Sequence, residues 1–111
     1  KYVTSSKKEI QGYKKVLIYA AGEKGKWLYN FINYETKSKV VGWADINYQE
    51  LRETGMPVVS LSEALKNQYD VLVIAIKSVN VCKRLEEQFI SIGIDESKIM
   101  CIHEFCDMIE K

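Results

Sequence analysis

The sequence predicts an α/β fold, a small doubly wound parallel sheet with helices on both faces. Three observations predict it. Four short apolar runs, Val16–Ala20, Val40–Ala44, Val71–Ile76 and Ile99–Ile102, do not alternate polar with apolar residues, as befits strands covered on both sides. Between them the apolar spacing becomes helical. The length of 111 residues suits one domain, which buries about two-thirds of its unfolded surface.

The elements follow in order. Lys1 to Gly12 is polar and reads as an extension or linker remnant, so the domain is expected over residues 13–111. The chain opens on Lys1 rather than Met, the expectation being a piece of a longer protein. Trp27, Leu28, Phe31 and Ile32 share one face of a helix from about Lys24 to Tyr34. Met56-Pro57-Val58-Val59 is a brief strand, and Pro57, lacking an amide donor, places it at an edge. Ser60-Leu61-Ser62-Glu63 is a capping box that opens a short helix carrying Leu61 and Leu65. Val81, Leu85, Phe89 and Ile92 recur at helical spacing, and Gly93 is the expected C-terminal cap. Phe105, Met108 and Ile109 suggest a last amphipathic turn or two. Right-handed crossovers then give the strand order 3-2-1-4-5, with the Pro57 strand outermost.

Composition excludes several classes of function. Sixteen basic and fifteen acidic residues give a net charge of +1, with no imbalance pointing to nucleic acid or an anionic membrane. No apolar run is long enough to span a bilayer, so no direct membrane insertion is expected. Cys82, Cys101 and Cys106 are odd in number, which reads as reduced thiols in a cytoplasmic protein. Cys101, His103, Cys106 and Asp107 include zinc-ligand types, but there is no paired C-x-x-C, and no metal site is expected.

The chemistry is expected at the carboxyl ends of the strands, where the winding direction switches. There the first strand runs into Ala20-x-Gly22-x-x-Gly25, a variant of G-x-G-x-x-G at a strand-to-helix junction. Gly22 lets the backbone approach a phosphate, and Gly25 lets the helix pack closely on the strand. The helix start offers N–H groups and partial positive charge to an anion. Ala20 replaces the glycine of the tight turn and is comfortable only with a negative φ. Asp45 follows the second strand, twenty residues after Gly25, where a carboxylate accepts from a ribose hydroxyl. Glu23 and Lys24 belong to the same turn. Lys77 and Ser78 follow the Val71–Ile76 run and face the same crevice, Ser78 also being a fitting N-cap. Trp27 and Trp43 are expected in the core.

Four segments carry a family resemblance: Lys15–Gly25, Val40–Asp45, Gly55–Val59 with Ser62–Leu65, and Tyr69–Ile76. They resemble the small Rossmann-like domains of bacterial surface-polysaccharide and nucleotide-sugar biosynthesis. Similar segments occur in the amino-terminal domains of sugar epimerase/dehydratases and of nucleotide-sugar acetyltransferases, and in accessory domains fused to glycosyltransferases. The likeness covers about Lys14 to Ile102. It implies a nucleotide or nucleotide-sugar ligand, NAD among the options, at Gly22, Glu23, Lys24 and Gly25, with a ribose contact at Asp45. It also implies a catalytic domain elsewhere in a longer parent chain. The acetyltransferase relatives need a hexapeptide-repeat domain, which is missing here.

No self-contained active site is legible. None of the seven tyrosines is followed four residues later by lysine, the pair on which short-chain dehydrogenases and sugar epimerases depend. His103 is the sole histidine, and no G-x-x-x-x-G-K-[ST] occurs. Three readings remain: a nucleotide-binding module, a degenerate scaffold or interaction domain without a ligand, and an enzyme component that a partner domain completes.

Overall fold

A computed structural model describes residues 13–102, so the Lys1–Gly12 extension and the expected turns around Phe105 and Met108 lie outside the described residues. Four parallel strands, β1 (Lys15–Tyr19), β2 (Lys39–Ala44), β3 (Val71–Ile74) and β4 (Ile99–Cys101), form one sheet in the order β2-β1-β3-β4. Helix α1 (Glu23–Glu35) connects β1 to β2. Helices α2 (Tyr48–Glu53) and α3 (Leu61–Ala64) lie between β2 and β3, and α4 (Val79–Ser91) joins β3 to β4.

Burial on both faces explains why these runs are strands. Val16, Leu17 and Ile18 of β1 are all fully buried, as are Leu72, Val73 and Ile74 of β3. Val16, Ile18, Val71 and Val73 join Leu28 and Ile32 of α1 in one apolar cluster. Leu17, Leu72 and Ile74 join Ala64 of α3 and Cys82 and Phe89 of α4 in a second cluster. The two inner strands therefore have no polar side, which is the reason for their unbroken apolar sequence.

Three helix ends follow their sequence signals. Ser60 Oγ accepts from the Glu63 amide at 3.2 Å, and Ser78 Oγ accepts from the Val81 amide at 3.3 Å. Gly93, just past α4, takes φ of +104° and closes the helix, its amide donating a hydrogen bond to the Ile90 carbonyl. Gly42 in β2 lets α3 settle close, since a Cβ there would meet the Ala64 side chain at 3.3 Å.

Several expectations are corrected. The five-strand order 3-2-1-4-5 does not form, because the expected edge strand Met56–Val59 is reduced to one bridge between Val59 and Ala44. Backbone accounting explains this. The Met56 amide is already bonded to the Leu51 carbonyl beyond the end of α2, and Pro57 has no N–H. Val59 alone then pairs, its amide donating to the Trp43 carbonyl while its carbonyl accepts from the Asp45 amide. α2 was not legible, since its single turn and a half has no fully buried side chain. Trp43 is in the core, but Trp27 is 40% exposed and stacks on Phe31 at the outer flank of α1. Ile92 falls just past the end of α4 and is 63% exposed, so the inward stripe of that helix is Cys82 and Phe89, with Leu85 packed beside them.

Gly25 gives the sharpest test of this packing. A Cβ on it would stand 2.0 Å from the Ala20 carbonyl oxygen, so Gly25→Ala must push α1 off β1. The expected loss in urea unfolding is about 3 kcal/mol or more, in the range of overpacked or strained core substitutions.

Candidate functional site

The crevice at the carboxyl ends of β1 and β2 is built from backbone. β1 ends at Tyr19, and Ala20 turns the chain sharply with φ of +95°. Its amide donates to the Ala44 carbonyl at 2.7 Å, and its own carbonyl accepts from the Trp43 indole Nε1 at 2.9 Å. Trp43 is held in turn by the ring of Tyr29, stacked at 4.4 Å. The turn thus keeps the left-handed conformation of a glycine with an alanine in place, against the expectation of a negative φ. Strain of about 1–3 kcal/mol accompanies such a residue, and the surrounding bonds hold it.

Gly22 is the N-cap of α1, its φ of −81° is ordinary, and no side chain caps the helix at this end. A Cβ on Gly22 would meet nothing within 4 Å, so its backbone borders open space. Glu23 is exposed and Lys24 half-exposed on the first turn of the helix, while Gly25 is buried against Ala20. The first intrahelical bond runs from the Lys26 amide to the Gly22 carbonyl. The helix start therefore presents donor groups toward the crevice.

Asp45 sits beside this turn. Its Oδ2 accepts from the Ala21 amide at 2.7 Å, and its Oδ1 accepts from the Asn47 amide at 2.7 Å. The carboxylate stitches the end of β2 to the glycine turn and starts the loop into α2. Each oxygen keeps a second lone pair for a hydroxyl donor. Next to it lies a cavity of about 270 Å³ lined by Tyr19, Asp45, Ile46, Tyr48 and Ser60–Ser62. The Tyr19 phenol is raised above its ordinary pKa by burial first and by the nearby Asp45 charge second, so it stays a neutral hydrogen-bonding group at physiological pH. Sequence reasoning missed Tyr19, Ile46 and Tyr48. The sequence carried no signal for them: that Ile46 is 81% exposed is a fact of the fold.

Lys77 and Ser78 follow β3, and both are exposed. They stand at the end of a strand paired with β1, as the Ala75 amide donates to the Tyr19 carbonyl. Ser78 is occupied as the N-cap of α4. The fold thus gathers Gly22, Glu23, Lys24, Gly25 and Asp45 around one turn, with Lys77 and Ser78 at the end of the neighbouring strand. A larger cavity of about 660 Å³ opens between Lys15, Tyr69, Asp70, Asp95 and Lys98 at the other end of the sheet. Its carboxylates are spent on local structure, Asp70 on the Lys14 and Lys15 amides and Asp95 on Ser97. Hydrogen bonding from Ser97 also holds Asp95 below the usual carboxylate range.

Fold and site together define a parallel α/β domain with a strand–glycine turn–helix crevice and an acid at the end of the second strand. The chain belongs to the C2185-like N-terminal family, whose model matches residues 12–100. No curated protein matches it by sequence.

Two substitutions test the turn. Ala20→Gly relieves the positive φ and should raise stability by about 0.5–1 kcal/mol, the relief outweighing the added freedom of the unfolded chain and a lost methyl contact. A loss of stability on denaturation would show that Ala20 is unstrained. Asp45→Ala strands the Ala21 and Asn47 amides and should cost about 1–3 kcal/mol, with Asp45→Asn costing less because one acceptor oxygen survives.

Proposed function

We propose that this chain is a nucleotide- or nucleotide-sugar-binding module, a Rossmann-like half-fold that serves a catalytic domain elsewhere in a longer chain. The observation that carries the reading is Ala20 at φ of +95°. A left-handed turn maintained against its own residue type, with Gly25 beneath it and open space over Gly22, favours a backbone shaped to receive a ligand. Asp45 would accept from a ribose or sugar hydroxyl, the amides at the start of α1 would meet a phosphate, and Lys77 would add charge from the neighbouring strand. NAD or a nucleotide-sugar fits this chemistry. The single Val59 bridge is then what remains of the fifth, outermost strand of the half-fold. The family's description as an amino-terminal domain supports a module that precedes other parts of a protein. The resemblance to surface-polysaccharide biosynthesis domains supports a bacterial, cytoplasmic setting, and the buried thiols of Cys82 and Cys101 suit a reducing compartment.

A second reading, a scaffold that has kept the fold and lost the ligand, is favoured by one observation. Both Asp45 oxygens already accept backbone amides, which is a sufficient structural reason for an aspartate at this position.

Thermal unfolding with NAD, UDP-sugars, CDP-sugars and coenzyme A separates the two. A ligand at a hundredfold excess over its Kd adds about 2.7 kcal/mol, or roughly ten degrees in Tm. Gly22→Ala is the matched control. Its methyl enters open space and costs the fold at most about 1 kcal/mol at an N-cap, yet it fills the volume a phosphate would take. The module reading expects a shift with one nucleotide class that Gly22→Ala abolishes. Absence of any shift leaves the scaffold.

A further inference from the structure

β2 changes face partway along. In an uninterrupted strand, residues three apart point to opposite sides. Val40 and Trp43 nevertheless pack in the same cluster, on the α1 side of the sheet, and Ala44 then turns to the other side. The cause is a β-bulge. Val16 pairs with Val40 but Leu17 pairs with Gly42, so Val41 is an extra residue opposite β1.

The consequence reaches the glycine turn. A strand paired without the extra residue would send Trp43 to the α3 side, because a one-residue slip inverts every side chain. The Trp43 indole could not then donate to the Ala20 carbonyl, as it does at 2.9 Å. Asp45, two residues on, follows the side of Trp43 and accepts from the Ala21 amide at 2.7 Å. Both bonds that tie β2 side chains to the turn therefore depend on the bulge.

Bulged residues leave backbone groups outside the ladder, and here asparagine side chains take them. The Val41 carbonyl accepts from Asn67 Nδ2 at 2.8 Å, and the Val40 amide donates to Asn33 Oδ1 at 3.3 Å. The shorter bond comes from the turn after α3, where the Asn67 amide is itself anchored on the Ala64 carbonyl at 3.1 Å. Gly42 makes room for this contact, since a Cβ there would meet the Ala64 side chain at 3.3 Å and Asn67 Nδ2 at 3.4 Å.

We propose that Asn67 is a positioning residue for the crevice. By holding the Val41 bulge it fixes the face that Trp43 and Asp45 take, and through them the shape of the Ala20 turn. Nothing in this role depends on which ligand the crevice takes.

Hydrogen exchange followed by NMR on the full chain tests it. In Asn67→Ala the Trp43 indole N–H and the Ala21 amide should exchange at least about tenfold faster, by local opening. The Leu72 and Val73 amides of β3 should change by a clearly smaller factor. Asn67→Asp keeps the size of the side chain and loses the donor, so it should behave as Asn67→Ala does. Lys66→Ala, next in the chain and on the surface, should leave all these rates in place. Unchanged rates at Trp43 and Ala21 in Asn67→Ala would overturn the proposal, as would an equal rise in β3, which marks general destabilisation. Protection retained in Asn67→Asp would also overturn it, because the hydrogen bond would then not be the cause.

Discussion

The carbonyl of Ala20 is the point on which the rest of the structure hangs. Gly25 packs against it with no room for a methyl group, the Trp43 indole donates to it, and the amide of the same residue is tied to Ala44. Three elements, β1, β2 and α1, thereby meet at a single peptide. The close approach of α1 is what lets Leu28 and Ile32 reach Val16 and Ile18. It is also what aims the start of the helix at the carboxyl ends of the strands. Packing and site geometry thus share one cause, and neither can be altered at this junction without the other.

The two inner strands supply the second constraint. A β1 or β3 buried on both faces needs helices on both sides, and the connections place α1 and α2 on one side and α3 and α4 on the other. The change of side between β2 and β3 opens the crevice beside β1, because the loops at the carboxyl ends diverge there. The edges are managed differently. β4 is only three residues long, and the carboxyl end of the outer edge of β2 is covered by Val59. Short strands and a covered edge both discourage edge-to-edge association.

Much of the candidate site's geometry was legible because a tight strand-to-helix turn depends on residue type and spacing. Glycine at 22 and 25 and aspartate at 45 announced a tight turn with an acid beside it, and the fold brings them together. Less legible was the role of the acid. Asp45 gives both oxygens to backbone amides twenty-four and two residues away, a pairing that depends on how β2 ends relative to β1. Tyr19 read simply as a strand residue, yet it closes a cavity with Ser60–Ser62 from a separate part of the chain. Trp27 looked like a core residue because its spacing matched Phe31. The helix instead rotates Leu28 and Ile32 inward and leaves the Trp27–Phe31 stack at the flank.

By itself the sequence determined the class of fold, since short unbroken apolar runs alternating with segments of helical spacing fit strands covered by helices on both sides. It also determined three helix ends, the starts of α3 and α4 and the close of α4, because a serine N-cap or a glycine after the last turn acts locally. Tertiary structure alone decided that the Met56–Val59 segment would be one bridge rather than a strand. The amide of Met56 was claimed by α2 and Pro57 had none to offer, so a ladder lacked its donors. It decided as well that an alanine would hold a glycine's conformation. A local preference of about 1–2 kcal/mol for negative φ yields when the indole of Trp43, the carbonyl of Ala44 and the buried Gly25 all require the same turn.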